Sequence, residues 1–220
     1  MKKDLTEIVI VLDESGSMGS VKNDTIGGFN EFLSSQKKIK GSANVTFVKF
    51  SDYYKVVNDG TDIKHVAELN ESSYTPSFST ALLDAVGKTI NSVGNRLADT
   101  PENKRPEKVI VAIITDGFEN ASREFTRLQI SDMVKHQREK YDWEFLFLGA
   151  DIDAWGKEIG ITSNVNVSKD DMFGNMAKMS YYTANFRSAS ADMSLDNFNL
   201  TNAEVEAKLE DMYEDDDDKK

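Results

Sequence analysis

The chain has 220 residues, enough for one sizeable core and too few for two ordinary domains. Hydrophobic residues make up 39% and charged residues 29%, with 13 glycines and 3 prolines, which excludes collagen-like and wholly disordered classes. Acids outnumber bases 38 to 26, a formal net charge of −12, so phosphate backbones are repelled, nucleic acid is not an expected partner, and cations or basic protein surfaces suit the molecule better.

No apolar run approaches the roughly 20 residues of a bilayer span, so no membrane association is expected. The first residues are basic, as in a signal peptide, but the apolar stretch Ile8 to Leu12 is short and runs into acids without an A-x-A cleavage site. A secretory signal is therefore not expected. The absence of cysteine excludes disulfide scaffolds, zinc–thiolate sites, iron–sulfur clusters and thiol nucleophiles, and it fits a reducing cytoplasm.

In chain order, Glu7 to Leu12 is a continuous β-branched run closed by the Gly-rich turn Asp13-Glu-Ser-Gly-Ser-Met-Gly19. That predicts a strand buried on both faces of a parallel sheet. Val21, Ile26, Phe29, Phe32 and Leu33 then recur at helical spacing as far as Lys40, with Gly41 as the stop. Asn44 to Phe50 and Tyr53 to Val57 are two β-rich runs separated only by Ser51 and Asp52, which predicts an antiparallel hairpin. Leu82, Leu83, Val86, Ile90, Val93 and Leu97 form an amphipathic helix, with Ser79 or Thr80 where an N-cap belongs. Lys108 to Ile114 is a second buried strand, ending at Thr115-Asp-Gly117. A helix from about Thr126 to Lys140 follows, then a strand from Trp143 to Leu148, a short helix through Trp155 and Ile159, and a weak strand around Asn164 to Val167.

Alternating strands and helices predict a three-layer α/β domain with a mostly parallel, Rossmann-like sheet, one antiparallel edge strand, and helices on both faces. We assign residues 1–185 to this domain and 186–220 to a C-terminal extension. From Glu204 to Lys220, nine acids face three lysines, which predicts a mobile acidic tail. Its Asp215 to Asp218 run before Lys219 and Lys220 is solubilising and also resembles an enterokinase recognition sequence.

Open α/β sheets place their sites in loops at the carboxyl ends of strands. Three such loops carry Asp13, Ser15 and Ser17; Thr80; and Asp116 with Gly117. Singly, each has a plain reading: Asp13, Ser15 and Ser17 as helix caps, Thr80 as an N-cap, Asp116-Gly117 as a β-turn. Together they offer two carboxylates and three hydroxyls without His or Cys, a donor set for a hard cation, Mg²⁺ first, then Mn²⁺ or Ca²⁺. With one carboxylate bound directly and the other through water, the ion keeps positive character and accepts an anionic oxygen from outside.

Asp13-Glu-Ser-Gly-Ser17, Ser79-Thr-Ala-Leu-Leu-Asp-Ala85 and Ile113-Ile-Thr-Asp-Gly117 resemble the metal-ion-dependent adhesion site of von Willebrand factor A domains. More narrowly, Ile26-Gly-Gly-Phe-Asn-Glu-Phe-Leu33, Thr115-Asp-Gly-Phe-Glu-Asn-Ala-Ser122 and Phe147-Leu-Gly-Ala-Asp-Ile-Asp-Ala154 resemble small intracellular A domains of bacteria and their phages. The resemblance implies a Rossmann-like fold and Mg²⁺ held by Asp13, Ser15, Ser17, Thr80 and Asp116. It also implies a partner protein that completes the coordination with a glutamate or aspartate. The implied function is a non-enzymatic, Mg²⁺-dependent protein-binding module in the cytoplasm. A Mg²⁺-dependent phosphohydrolase is the alternative, but Ser15 stands where such enzymes need a second aspartate for proton transfer, and no P-loop or G-x-G-x-x-G fingerprint is present.

Of the neighbouring residues, Glu14 and Ser79 are expected to face solvent or to support the ligands, Asp84 to favour its helix N-terminus, and Asp151 and Asp153 to cap. His65 and His136 lie apart and suggest no catalysis. Met172, Met176 and Met179 at helical spacing, and both tryptophans, are expected to pack.

Overall fold

The computed structural model describes residues 1–149, 163–164, 171–188 and 207–208. The expected helix through Trp155 and Ile159, the roles given to Asp151 and Asp153, the continuation of the last strand to Val167, and the acidic tail apart from residues 207–208 lie outside the described residues.

The elements are β1 (Lys2–Asp13), α1 (Lys22–Lys38), β2 (Ser42–Phe50), β3 (Tyr54–Asp62), α2 (Leu82–Asp99), β4 (Pro106–Ile114), α3 (Arg127–Tyr141), β5 (Glu144–Leu148), β6 (Ser163–Asn164) and α4 (Met172–Ser188). A 3₁₀ turn, Gly16–Val21, links β1 to α1. The sheet runs β3-β2-β1-β4-β5-β6. Every pairing is parallel except β2 with β3, because Phe50 and Tyr54 are too close in sequence for a crossover and must turn back on each other. The β2–β3 register shifts twice, between Val45 and Phe47 and between Phe47 and Val48.

Period-two alternation along β1 divides the core. Ile8, Ile10 and Leu12 join Phe29, Phe32 and Leu33 of α1 and Met176 and Met179 of α4 on one face. Val9 and Val11 join Val86, Ile90 and Val93 of α2 and Ile130 and Val134 of α3 on the other. Successive strand residues point to opposite faces, so an uninterrupted apolar run is what a sheet covered by helices on both sides requires. Each such side chain contributes about 1.5–3 kcal/mol on full burial. The three methionines therefore fill the core as expected. At Gly28 a Cβ would fall 2.7 Å from Met176 Cβ, so α4 lies on α1 at a distance that only glycine permits.

β1 has parallel neighbours on both sides, β2 and β4. The chain leaves β1 through α1 on one face and enters β4 from α2 on the other. At such a switch in strand order the loops beyond the carboxyl ends diverge and leave a crevice. Asp13 ends β1 and Ile114 ends β4, so the loops carrying Asp13-x-Ser15-x-Ser17 and Asp116-Gly117 open onto it.

Candidate metal centre

Asp13 is wholly buried and both of its carboxylate oxygens are held. Oδ1 accepts the Ser15 N–H at 2.7 Å, and Oδ2 accepts the Thr115 hydroxyl at 2.5 Å. Ser15 Oγ lies 3.2 Å from Ser17 Oγ, and Ser17 Oγ donates to Asp116 Oδ1 at 2.6 Å. The two loops are thus joined through polar side chains. Thr80 enters beside them: a Cβ built on Gly117 would meet Ser17 Oγ at 3.0 Å, Thr80 Oγ1 at 3.1 Å and Asp13 Oδ2 at 3.6 Å. Three oxygens from two loops therefore face one small space over the third loop, and Gly117 keeps that space clear. Asp13, Ser15, Thr80 and Asp116 are buried, and Ser17 is exposed, so the cluster meets solvent on the Ser17 side.

The capping roles do not hold. α2 begins at Leu82 after an N-cap at Ala81 that makes no side-chain cap bond, so neither Ser79 nor Thr80 caps it. Its free N–H groups are taken from a distance: Leu83 N–H donates to Glu119 Oε2 at 2.9 Å, and Asp84 N–H donates to Ser122 Oγ at 3.1 Å. The Thr80 hydroxyl is thereby released toward the cluster, while its N–H is held by Asn120 Oδ1 at 2.9 Å. Likewise Ser15, at the N-cap of the 3₁₀ turn, makes no side-chain cap bond, and α1 follows Val21 without one.

Of the two roles expected of Glu14, the solvent-facing one does not hold: it is wholly buried and pins the loop 73–78 against the end of β1. Its Oε1 accepts Lys49 Nζ at 2.8 Å and Thr75 N–H at 2.6 Å, and its Oε2 accepts the Tyr53 hydroxyl. Burial alone would raise this carboxyl, but Lys49, Tyr53 and Thr75 outweigh it and hold it below the usual range. The backbone adds Ser77 N–H to Glu14 O at 2.8 Å and Gly16 N–H to Phe78 O at 3.0 Å, and buried Tyr74 donates its hydroxyl to Asp13 O at 2.6 Å. Asp84 stands in the first turn of α2, as expected, and also reaches beyond its helix. It is buried and accepts the N–H groups of Arg123, Glu124 and Phe125 at 2.8–2.9 Å, shaping the loop between β4 and α3. Nothing in the local sequence around Glu14 marks these partners, which come from β2, the turn after it and the loop 73–78.

The electrostatics fit a cation. Burial pushes the Asp13 carboxyl up to about 6, against the lowering by the Thr115 hydroxyl and the Ser15 amide and hydroxyl, and the charge of Asp116 adds to the rise. The residues that converge here carry oxygen donors alone, which is the donor chemistry of Mg²⁺, Mn²⁺ or Ca²⁺. Among the described residues no three His, Cys, Asp or Glu side chains converge; the cluster has two carboxylates, and its remaining donors are neutral.

The chain belongs to the von Willebrand factor type A domain family, whose model matches residues 7–190; the family often mediates metal-dependent protein interaction. No curated protein sequence matches it. Solved structures share the fold at low identity. The PilB minor pilin from Streptococcus sanguinis is 11% identical with a TM-score of 0.53, covering 81% of this chain and 61% of that one. Proximal thread matrix protein 1 from the mussel byssus is 16% identical with a TM-score of 0.54, covering 82% and 46%. Manganese-loaded TRAP from Plasmodium vivax is 14% identical with a TM-score of 0.50, covering 80% and 73%. The chain spans less than two-thirds of the length of the first two. Among the described residues no helix is long and apolar enough to cross a membrane.

Proposed function

We propose that the chain is a divalent-cation-dependent protein-binding module whose metal, Mg²⁺ first, is held by Asp13, Ser15, Ser17, Thr80 and Asp116. The observation that carries this reading is the common space at Gly117, bordered by Ser17, Thr80 and Asp13 oxygens at 3.0–3.6 Å. The bound ion supplies positive charge open to an anionic oxygen from outside, and a partner's glutamate or aspartate is that oxygen. Asp13 and Asp116 supply the negative charge, the hydroxyls add donors without neutralising further, and the Ser17 side stays open to solvent. Manganese on a protein of the same fold supports a divalent ion. We read the site as non-catalytic, because Ser15, with its hydroxyl near Ser17 Oγ, stands where a phosphohydrolase would place its proton-transferring acid. The setting we propose is the cytoplasm, supported by a composition without cysteine.

Calorimetric titration with Mg²⁺ and Mn²⁺ tests the reading. The wild type should bind one ion, and Asp13→Ala should bind none while unfolding cooperatively. Stoichiometric binding by Asp13→Ala, or phosphatase turnover abolished by Asp13→Asn, would overturn it.

A further inference from the structure

Two largely exposed phenylalanines adjoin the loops of the cluster. Phe78 is 70% exposed and Phe118 is 66% exposed. Phe78 lies two residues before Thr80, and its carbonyl holds Gly16 N–H at 3.0 Å; Phe118 directly follows Asp116 and Gly117. Most other phenylalanines in the described residues, such as Phe29, Phe32, Phe47, Phe145 and Phe147, are core residues. Exposed aromatic residues beside a polar cluster are the usual composition of a recognition surface.

The backbone gives a second, independent observation. Phe78 has φ of +66°, a left-handed conformation that a bulky side chain disfavours. The other described non-glycine residues with positive φ are Asp4 and Asp142, of the type that enters this region readily. The strain at Phe78 persists because its flanks are pinned on both sides: Ser77 N–H to Glu14 O and Gly16 N–H to Phe78 O on one, Thr80 N–H to Asn120 on the other. Glycine would satisfy this backbone without strain. A strained residue that is also exposed and apolar gains nothing for the fold, and such strain characteristically clusters at binding sites.

We propose that Phe78 and Phe118 form an apolar rim that selects the residues flanking the metal-bound acid, so that the partner presents a glutamate or aspartate between large apolar side chains. The inference rests on the metal-dependent reading above and specifies its partner. The occupant is a protein segment rather than a lipid surface. The proposed cation calls for a carboxylate, and a net charge of −12 opposes approach to anionic headgroups.

The test uses capped synthetic peptides with a Leu-Glu-Leu, Ser-Glu-Ser or Leu-Gln-Leu centre, titrated by fluorescence anisotropy against the full chain in saturating Mg²⁺. The wild type should prefer Leu-Glu-Leu to Ser-Glu-Ser by about tenfold, the effect of burying apolar side chains on the rim. Phe78→Gly should remove most of that preference while its melting temperature stays equal or rises, which separates binding from folding. Phe118→Ser, at an exposed position, should reduce the preference as well. Equal binding of the two glutamate peptides by the wild type, no binding of Leu-Glu-Leu at all, or a preference that survives both substitutions would overturn the rim. Binding of Leu-Gln-Leu as tight as Leu-Glu-Leu, or insensitive to EDTA, would instead overturn the metal–carboxylate reading. Metal-independent partition of the wild type into zwitterionic vesicles, lost in both variants, would assign the rings to lipid and also overturn the proposal.

Discussion

The hydroxyl of Ser17 donates to Asp116 Oδ1 at 2.6 Å, across a sequence separation of 99 residues. It closes a chain of contacts that starts at Thr115 on Asp13 and passes through the Ser15 and Ser17 hydroxyls. The loops after β1 and β4 are therefore tied to each other by their own side chains, which limits the ordering that would oppose binding.

Gly117→Ala should leave the fold intact and damage the site. The added methyl would crowd Ser17 Oγ at 3.0 Å and Thr80 Oγ1 at 3.1 Å, in the space assigned to the ion. Melting without metal should change little, while calorimetric affinity for Mg²⁺ should fall at least tenfold, or about 1.4 kcal/mol. Unaltered affinity would move the ion elsewhere.

Glu14→Gln should be strongly destabilising. It leaves Lys49 buried beside Glu14 without its counter-charge, the two now lying 2.8 Å apart, and breaking a buried pair costs about 3–5 kcal/mol. Urea denaturation should show a loss of that order. Glu14→Gln combined with Lys49→Met should lose less than Glu14→Gln alone, because no unpaired charge remains. Equal losses would mean the charge pair is unimportant.

Asp84 gives a pH signature. Burial raises its carboxyl, but the N–H groups of Arg123, Phe125 and Glu124 outweigh that and hold it below the ordinary value. A depressed folded value means the ionised form is preferred on folding. Its stabilisation is present above the unfolded value of about 4 and disappears as pH falls through the lower folded value. The stability gap between wild type and Asp84→Asn should thus be widest near neutrality and shrink below about pH 4. A gap that is constant with pH would contradict this account.

A polar cluster around Glu7, in the middle of β1, supplies a control. Buried Glu7 accepts Thr46 Oγ1 at 2.7 Å and Arg96 Nη2 at 2.6 Å, and Arg96 Nε lies 2.7 Å from Asp59. Arg96→Ala should destabilise the protein by about 3 kcal/mol, since Glu7 stays buried without a cation, and should leave Mg²⁺ affinity as it was. If affinity dropped in parallel with stability, metal binding would be reporting global folding rather than the local site.

The strands were legible because a sheet covered on both faces leaves its imprint in the residues themselves: Ile8 to Leu12 and Val109 to Ile114 are apolar at every position. The Thr126 boundary was legible because its capping box closes within three residues, Thr126 with Gln129. The five oxygen-bearing residues could be picked out because each sits at the end of a predictable element. Their supports could not. Glu14 depends on Lys49, Tyr53 and Thr75, and the N-terminus of α2 is satisfied by Glu119 and Ser122. Such contacts exist only once distant segments have been brought together. Local rules accordingly offered Ser79 or Thr80 as the cap of α2, a position that Ala81 fills without a side-chain bond.

The outer strand β3 has consequences for behaviour in crowded solution. Its ladder to β2 is interrupted by two register shifts, and Lys55, Asp59 and Asp62 place charge along its length. An irregular, charged border is a poor template for another chain. The molecule can therefore carry exposed aromatic residues at one end of its sheet without inviting strand-by-strand polymerisation along its flank.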